Sequence, residues 1–130
     1  MEISMWNEQA KVPVTVFHLK GDLASEELLE TRAKEAFAAG GRDFLLDLTD
    51  APYISSAGLR ALHSVYMMLR DADPADAEAS AKGLARGTYK SPHLKLLNVS
   101  RNAKKALSVA GYDMFLEMFD SREKALNAFG

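Results

Sequence analysis

Residues 53–60 read Tyr-Ile-Ser-Ser-Ala-Gly-Leu-Arg and set two adjacent hydroxyls, Ser55 and Ser56, at the mouth of a predicted helix directly after an apolar run. Three kinds of chemistry suit such a pair. A serine at a helix start accepts a hydrogen bond from one of the unpaired backbone N–H groups of the first turn, and one serine suffices for that. A serine can also be a nucleophile. The stretch fits the serine and second glycine of the hydrolase elbow G-x-S-x-G, but Ile54 stands where the first glycine is required. A hydrolase further needs a positioned general base, and the imidazoles on offer are His18, His63 and His93, one in a predicted strand and one in an irregular stretch. No catalytic residue is therefore assigned, and the chain is expected not to be an enzyme. The third possibility is a phosphoacceptor. A phosphoryl group adds roughly −1.5 to −2 charges and three acceptor oxygens. A helix N-terminus accommodates that anion, while a partner docked over the turn would be strongly disturbed.

Around the pair, Asp47 and Asp50 flank the strand exit, and Arg60 lies one turn into the helix, pointing away from its apolar stripe. Arg is enriched at interface hot spots. His63 neighbours the stripe and is expected to be partly buried; Met67 and Met68 read as packing residues. No two histidines share a metal-like spacing, and the chain has no cysteine, so neither a metal site nor a cofactor is expected.

The elements that must position these residues follow from periodicity. Ile3–Trp6 and Val12–Leu19 read as a strand pair, with Val12, Val14 and Val16 at alternate positions and Pro13 at a strand start or an edge. Ser25 reads as the N-cap of a helix carrying Leu29, Ala33, Ala36 and Phe37 on one face and ending at Gly40-Gly41. Phe44–Leu48 is a nearly continuous apolar run, as in a strand buried on both faces. A helix from about Ser56 to Arg70 follows, with Leu59, Leu62, Tyr66 and Leu69 as its stripe. Residues 71–92 are rich in small and charged residues, with two prolines and two glycines, and read as a long exposed loop or flexible insertion with at most a helical turn. Leu94–Val99 is a further strand. Ser100 caps the next helix, Phe115–Phe119 is a last strand, and Asp120 with Glu123 suggests a capping box before a last helix.

The order β-β-α-β-α-loop-β-α-β-α implies one α/β domain with a mixed, mostly parallel sheet of four to five strands and about four helices. The chain has 130 residues, enough for one real core, with 48% apolar and 26% charged residues and a net charge of −2. Its sequence pI near 5.9 argues against a nucleic-acid surface. No signal-peptide pattern opens the chain, and no apolar run approaches the ~20 residues that span a bilayer. The expectation is a cytoplasmic domain without membrane insertion.

The stretch D-L-T-D-A-P-Y-I-S-S-A-G-L-R-A-L resembles the signature of STAS domains, in particular the bacterial anti-sigma factor antagonists. G-D-L-A-S-E-E-L resembles the family's stretch opening its first helix, and L-K-L-L-N-V-S-R-N-A-K-K-A-L-S-V-A-G-Y-D-M-F resembles its strand–helix–strand close. The resemblance spans nearly the whole chain apart from 71–92. It implies a regulatory module of sigma-factor-dependent transcription that binds an anti-sigma factor with serine kinase activity while unphosphorylated. Phosphorylation by that kinase ends the interaction, and a serine phosphatase restores it. By the same resemblance the acceptor is Ser56, two positions before Gly58, with Ser55 as the fallback. The partner surface then comprises Asp22, Ser25, Asp47, Ile54, Ser55, Ser56, Ala57, Gly58 and Arg60. The sequence departs from the family pattern in Ser55, where many members carry Asp, in Ala24, where the first-helix motif often has Asp, and in the insertion at 71–92. The alternative is a STAS subunit of another assembly, lipid-transport or stressosome-like, in which Ser56 merely caps the helix.

Overall fold

A computed structural model describes all 130 residues. Five strands, β1 (Glu2–Gln9), β2 (Pro13–Lys20), β3 (Phe44–Asp50), β4 (Leu94–Leu97) and β5 (Glu117–Phe119), lie in the order β1-β2-β3-β4-β5. The β1–β2 pair is an antiparallel hairpin, and the other three pairs are parallel. Pro13 opens β2 opposite Gln9 and so leaves the ladder intact. Five α-helices connect and cover the sheet: α1 (Glu27–Ala38), α2 (Ser56–Asp71), α3 (Pro74–Gly83), α4 (Arg101–Val109) and α5 (Arg122–Asn127). A single 3₁₀ turn, Tyr112–Met114, precedes β5. The sheet is thus mixed and mostly parallel, as the element order implied.

Strand alternation sends side chains to opposite faces. Phe17 and Leu19 of β2, Phe44, Leu46 and Leu48 of β3, and Leu94 and Leu96 of β4 join the main core with Leu29 and Ala33 of α1, Leu62, Val65 and Leu69 of α2, and Leu107 of α4. Val14, Val16, Leu45 and Leu97 point the other way and pack under Ala125 of α5 and Phe129 just beyond that helix. β3 is covered on both sides, which is why its apolar run does not alternate.

Three local readings are corrected. Residues 71–92 are not a bare loop: α3 occupies Pro74–Gly83, with Asp73 as its N-cap accepting from the Ala75 N–H at 3.1 Å and proline at its first position. Its inward face is Asp76, Ser80 and Gly83 rather than an apolar stripe. The last helix is capped by Ser121, which accepts from the Lys124 N–H, and not by Asp120. His63 is exposed, its ring stacked 6.1 Å from that of Tyr112.

Candidate functional site

The carboxyl ends of β2 and β3 lead into the loops that begin α1 and α2, and an open α/β sheet builds its sites at this end. Leu23 and Ile54 form an isolated parallel bridge that extends the β2–β3 pairing beyond the strands. The Leu23 N–H donates to the Tyr53 carbonyl at 2.9 Å, and the Ser55 N–H donates to the Leu23 carbonyl at 2.9 Å. Both loops are therefore held as one piece by backbone bonds.

Within that frame the two serines have different jobs. Ser55 is the N-cap of α2, with extended backbone. Its Oγ accepts from the Gly58 N–H at 3.2 Å and donates to the Leu23 carbonyl at 3.3 Å. Ser56 is the first helical residue, is exposed, and has no side-chain hydrogen bond. The N–H groups of Ser56 and Ala57 have no backbone partner, as expected for a first turn. An unengaged hydroxyl thus stands at the positive end of a 16-residue helix.

Gly58 is buried against the β2–α1 loop. A β-carbon there would lie 2.2 Å from the Leu23 carbonyl oxygen, so the close contact that aligns the serine turn requires glycine. Ile54 is buried in the main core, and Ala57 is half-buried. Asp22 and Ser25 are exposed on the neighbouring loop; the Ser25 hydroxyl accepts from the Glu27 N–H at 3.3 Å. Ser25 is not the N-cap that its position suggested: the residue before α1 is Glu26, whose side chain does not cap the helix. Instead its carboxylate takes the Nε–H of Arg60, an exposed ion pair that ties α1 to α2. Glu26 was not anticipated, because its partner is 34 residues away and no local spacing signals the pair.

Asp47 is set apart from this group. It follows Leu45 on the α5 face of β3, opposite the face on which α2 packs. There its Oδ1 accepts from the backbone N–H of Thr49 at 3.0 Å and from the Thr49 hydroxyl. Thr49 Oγ1 in turn accepts from Asn98 Nδ2 at 2.8 Å, where Asn98 adopts φ 55°. Asp50 pairs with His18 at 2.8 Å. Asp47 thus braces the exit of β3, and Asp50 ties that exit to β2. Tyr53, 55% exposed beside the turn, is an apolar surface feature that the sequence reading passed over. No cluster of three or more His, Cys, Asp or Glu side chains is arranged to hold a metal.

The family model of the STAS domain matches residues 6–73, just over half of the chain. The chain belongs to the STAS domain family. Its matched part runs from β1 to the N-cap of α3 and includes the whole serine turn. No curated protein matches the chain. Among solved structures it is similar to an anti-sigma factor antagonist from Mycobacterium paratuberculosis, with 17% identity, 98% of this chain and 93% of that one covered, and a TM-score of 0.66. It is also similar to the Bacillus cell fate determinant SpoIIAA in its phosphorylated form, with 17% identity, coverage of 95% and 97%, and a TM-score of 0.58. A sulfate transporter family protein from Wolinella succinogenes is similar at 23% identity, with coverage of 87% and 81% and a TM-score of 0.56. At these identities the likeness is one of fold. No helix of the chain is long and apolar enough to cross a membrane.

Proposed function

We propose that this STAS domain is an anti-sigma factor antagonist, switched by phosphorylation of Ser56. While Ser56 is unmodified the domain binds an anti-sigma factor that is also a serine kinase, and sigma-factor-dependent transcription is released. The observation that carries this reading is the division of labour between the serines. Ser55 is consumed by the cap and the Leu23 carbonyl, whereas Ser56 presents a free, exposed hydroxyl at the helix N-terminus.

In the kinase step Ser56 Oγ attacks the γ-phosphorus of ATP held by the partner. The Oγ–P bond forms, the bond from that phosphorus to the β,γ-bridging oxygen breaks, and ADP leaves. The hydroxyl proton passes to a base on the kinase. The product dianion meets the free N–H groups of Ser56 and Ala57 and the positive end of α2, so the fold tolerates it. A partner seated over the turn would bury that charge without a counterion, and this costs several kcal/mol. Hydrolysis by a separate serine phosphatase transfers the phosphoryl group to water and restores binding.

The docking surface in this reading is formed by exposed Asp22, Ser25, Ser56 and Arg60, with Ala57 at its edge. Buried Ile54 and Gly58 shape it from beneath, and Ser55 fixes its geometry. Asp47, on the opposite face, acts on it only through the loop it braces.

The test is intact-mass measurement and site mapping after incubation with ATP and the anti-sigma kinases of the source genome. One added phosphoryl group on Ser56 with loss of the complex is the expected result. A stable complex with no phosphorylation favours a second reading, a STAS subunit held constitutively in a lipid-transport or stressosome-like assembly. That reading draws on the likeness in fold to the sulfate transporter family protein.

A further inference from the structure

Ser56 opens α2, and Arg60 stands four residues later in the same unbroken helix. Side chains at this spacing lie on one line along a helix, with β-carbons about 5–6 Å apart. Both residues are exposed. The same line continues through Ser64 and Met68, which border α1 at Glu30 and Lys34. The Ser56 hydroxyl and the Arg60 guanidinium thus share the edge of α2 that runs along α1.

Arg60 is only partly committed in the unmodified chain. Its Nε–H donates to Glu26, while its two Nη groups have no hydrogen-bond partner. An exposed pair of this kind contributes little and is readily exchanged. A phosphoryl group on Ser56 is the stronger competitor for the guanidinium. It carries roughly −1.5 to −2 charges where the carboxylate carries one, and its oxygens match the guanidinium fork. It is also borne on the same helix as Arg60, so no second element has to be held in place for the two to meet. We propose that Arg60 is the counterion of phosphorylated Ser56, drawn away from Glu26 by the phosphoryl group and so withdrawn from the docking surface. This rests on the reading of Ser56 as the phosphoacceptor. One guanidinium then serves either the phosphoryl group or a docked partner, and Glu26 is left as a bare carboxylate at the start of α1.

The experiment uses the full chain with phosphoserine placed at position 56 during translation, so that no kinase is needed. Phosphorus NMR follows the second ionisation of the phosphoryl group, ordinarily near about pH 6. A cation paired with the dianion lowers that midpoint. Arg60→Gln should therefore raise it, the acid dissociation constant falling about threefold or more, whereas Glu26→Gln removes the competing carboxylate and should lower it. The Arg60 Nε–H resonance should move between the unmodified and phosphorylated chains. Both side chains are open to solvent, and thermal melts report that the variants keep the fold. Arg60→Gln titrating at the parent's midpoint overturns the proposal, as does an Arg60 Nε–H resonance unmoved by phosphorylation. Neither result touches the switch, which is read separately: a chain that no anti-sigma kinase phosphorylates would sink the switch and leave the pairing of phosphoserine with Arg60 as measured.

Discussion

Gly58 meets the Leu23 carbonyl so closely that a β-carbon at 58 would lie 2.2 Å from that oxygen and 2.9 Å from Leu23 Cγ. Backbone, not a flexible side-chain tip, blocks the space, so relief requires moving the β2–α1 loop or the first turn of α2. Gly58→Ala is therefore expected to destabilise the domain by about 1–3 kcal/mol, despite the better helix propensity of alanine. Urea denaturation reads the loss. Unchanged or raised stability would mean that the serine turn is not locked to the neighbouring loop.

The split between the serines gives a paired expectation. Ser55→Ala removes the acceptor for the Gly58 N–H and the donor to Leu23, and should cost about 0.5–2 kcal/mol. Ser56→Ala removes no hydrogen bond and should stay within about 0.5 kcal/mol of the parent. In partner pull-downs the ranking changes. Ser56→Ala should bind like the parent and resist the kinase, while Ser56→Asp should fold normally and bind weakly. Equal binding of Ser56→Asp and parent would remove the switch.

His93 joins three parts of the fold, with Nδ1 on Asp43 at 2.9 Å and Nε2 on Asp73 at 2.8 Å. The bond to Asp43, then that to Asp73 and the nearby charges of Asp43 and Asp76, raise its pKa to about 9 against the opposing effect of burial. The same contact with His93 holds the Asp73 carboxyl below its usual value. For a raised histidine, the stabilisation is complete below the ordinary value of 6.5 and is lost as pH rises through about 9. Relative to a His93→Gln variant, the parent should thus lose stability between these limits, by an amount on the order of 2 kcal/mol. The depressed Asp73 acts at the other end: its share is present above pH 3.8 and disappears as pH falls below that. Denaturation midpoints of parent and variant across pH check both signs; parallel curves would show that the imidazole is not a charged clamp.

Most of the sheet was legible because its residues obey a period. Val14 and Val16 alternate against Phe17 and Leu19 across the two faces, and Phe44–Leu48 reads as apolar throughout because both faces are covered. α3 escaped notice for a physical reason: it buries Asp76 and Ser80 through hydroxyl partners, not a hydrophobic stripe, and Gly83 lets Tyr89 approach so closely that a β-carbon would sit 2.8 Å from Tyr89 Cβ. The Asp73-Pro74 start signal was present in the sequence, but only alanines, and no larger apolar residue before Leu84, followed it. At the candidate site, spacing brought out the serine pair and Gly58. It was blind to the Arg60–Glu26 pair and to the face on which Asp47 lies, since both depend on how distant segments meet.

The hydroxyls that hold α3 are unequal. Tyr66 OH and Ser80 Oγ lie 3.0 Å apart, two neutral groups, whereas Tyr89 supplies the sole protein donor to the buried Asp76 carboxylate. Tyr66→Phe should cost about 1 kcal/mol, and Tyr89→Phe should cost more, about 1–3 kcal/mol, because a charged acceptor is left bare. Chemical denaturation of the two variants decides the order. Equal losses would mean that Asp76 has another hydrogen-bond donor.

Arg60 separates stability from recognition. Its pair with Glu26 is solvent-exposed, with the Arg60 side chain 61% and the Glu26 side chain 40% accessible, and exposed pairs contribute little. Arg60→Ala should therefore change the unfolding free energy by less than about 1 kcal/mol. If Arg60 forms part of the docking surface with Asp22, Ser25 and Ser56, the same substitution lowers partner affinity and flattens its dependence on salt, because a charge at the rim acts through long-range attraction. Glu26→Ala breaks the same ion pair but leaves the arginine in place, so it should spare binding while matching Arg60→Ala in stability. Surface plasmon resonance at two ionic strengths distinguishes them. Losses of the same size in both variants would assign Arg60 a purely internal role, tying α1 to α2.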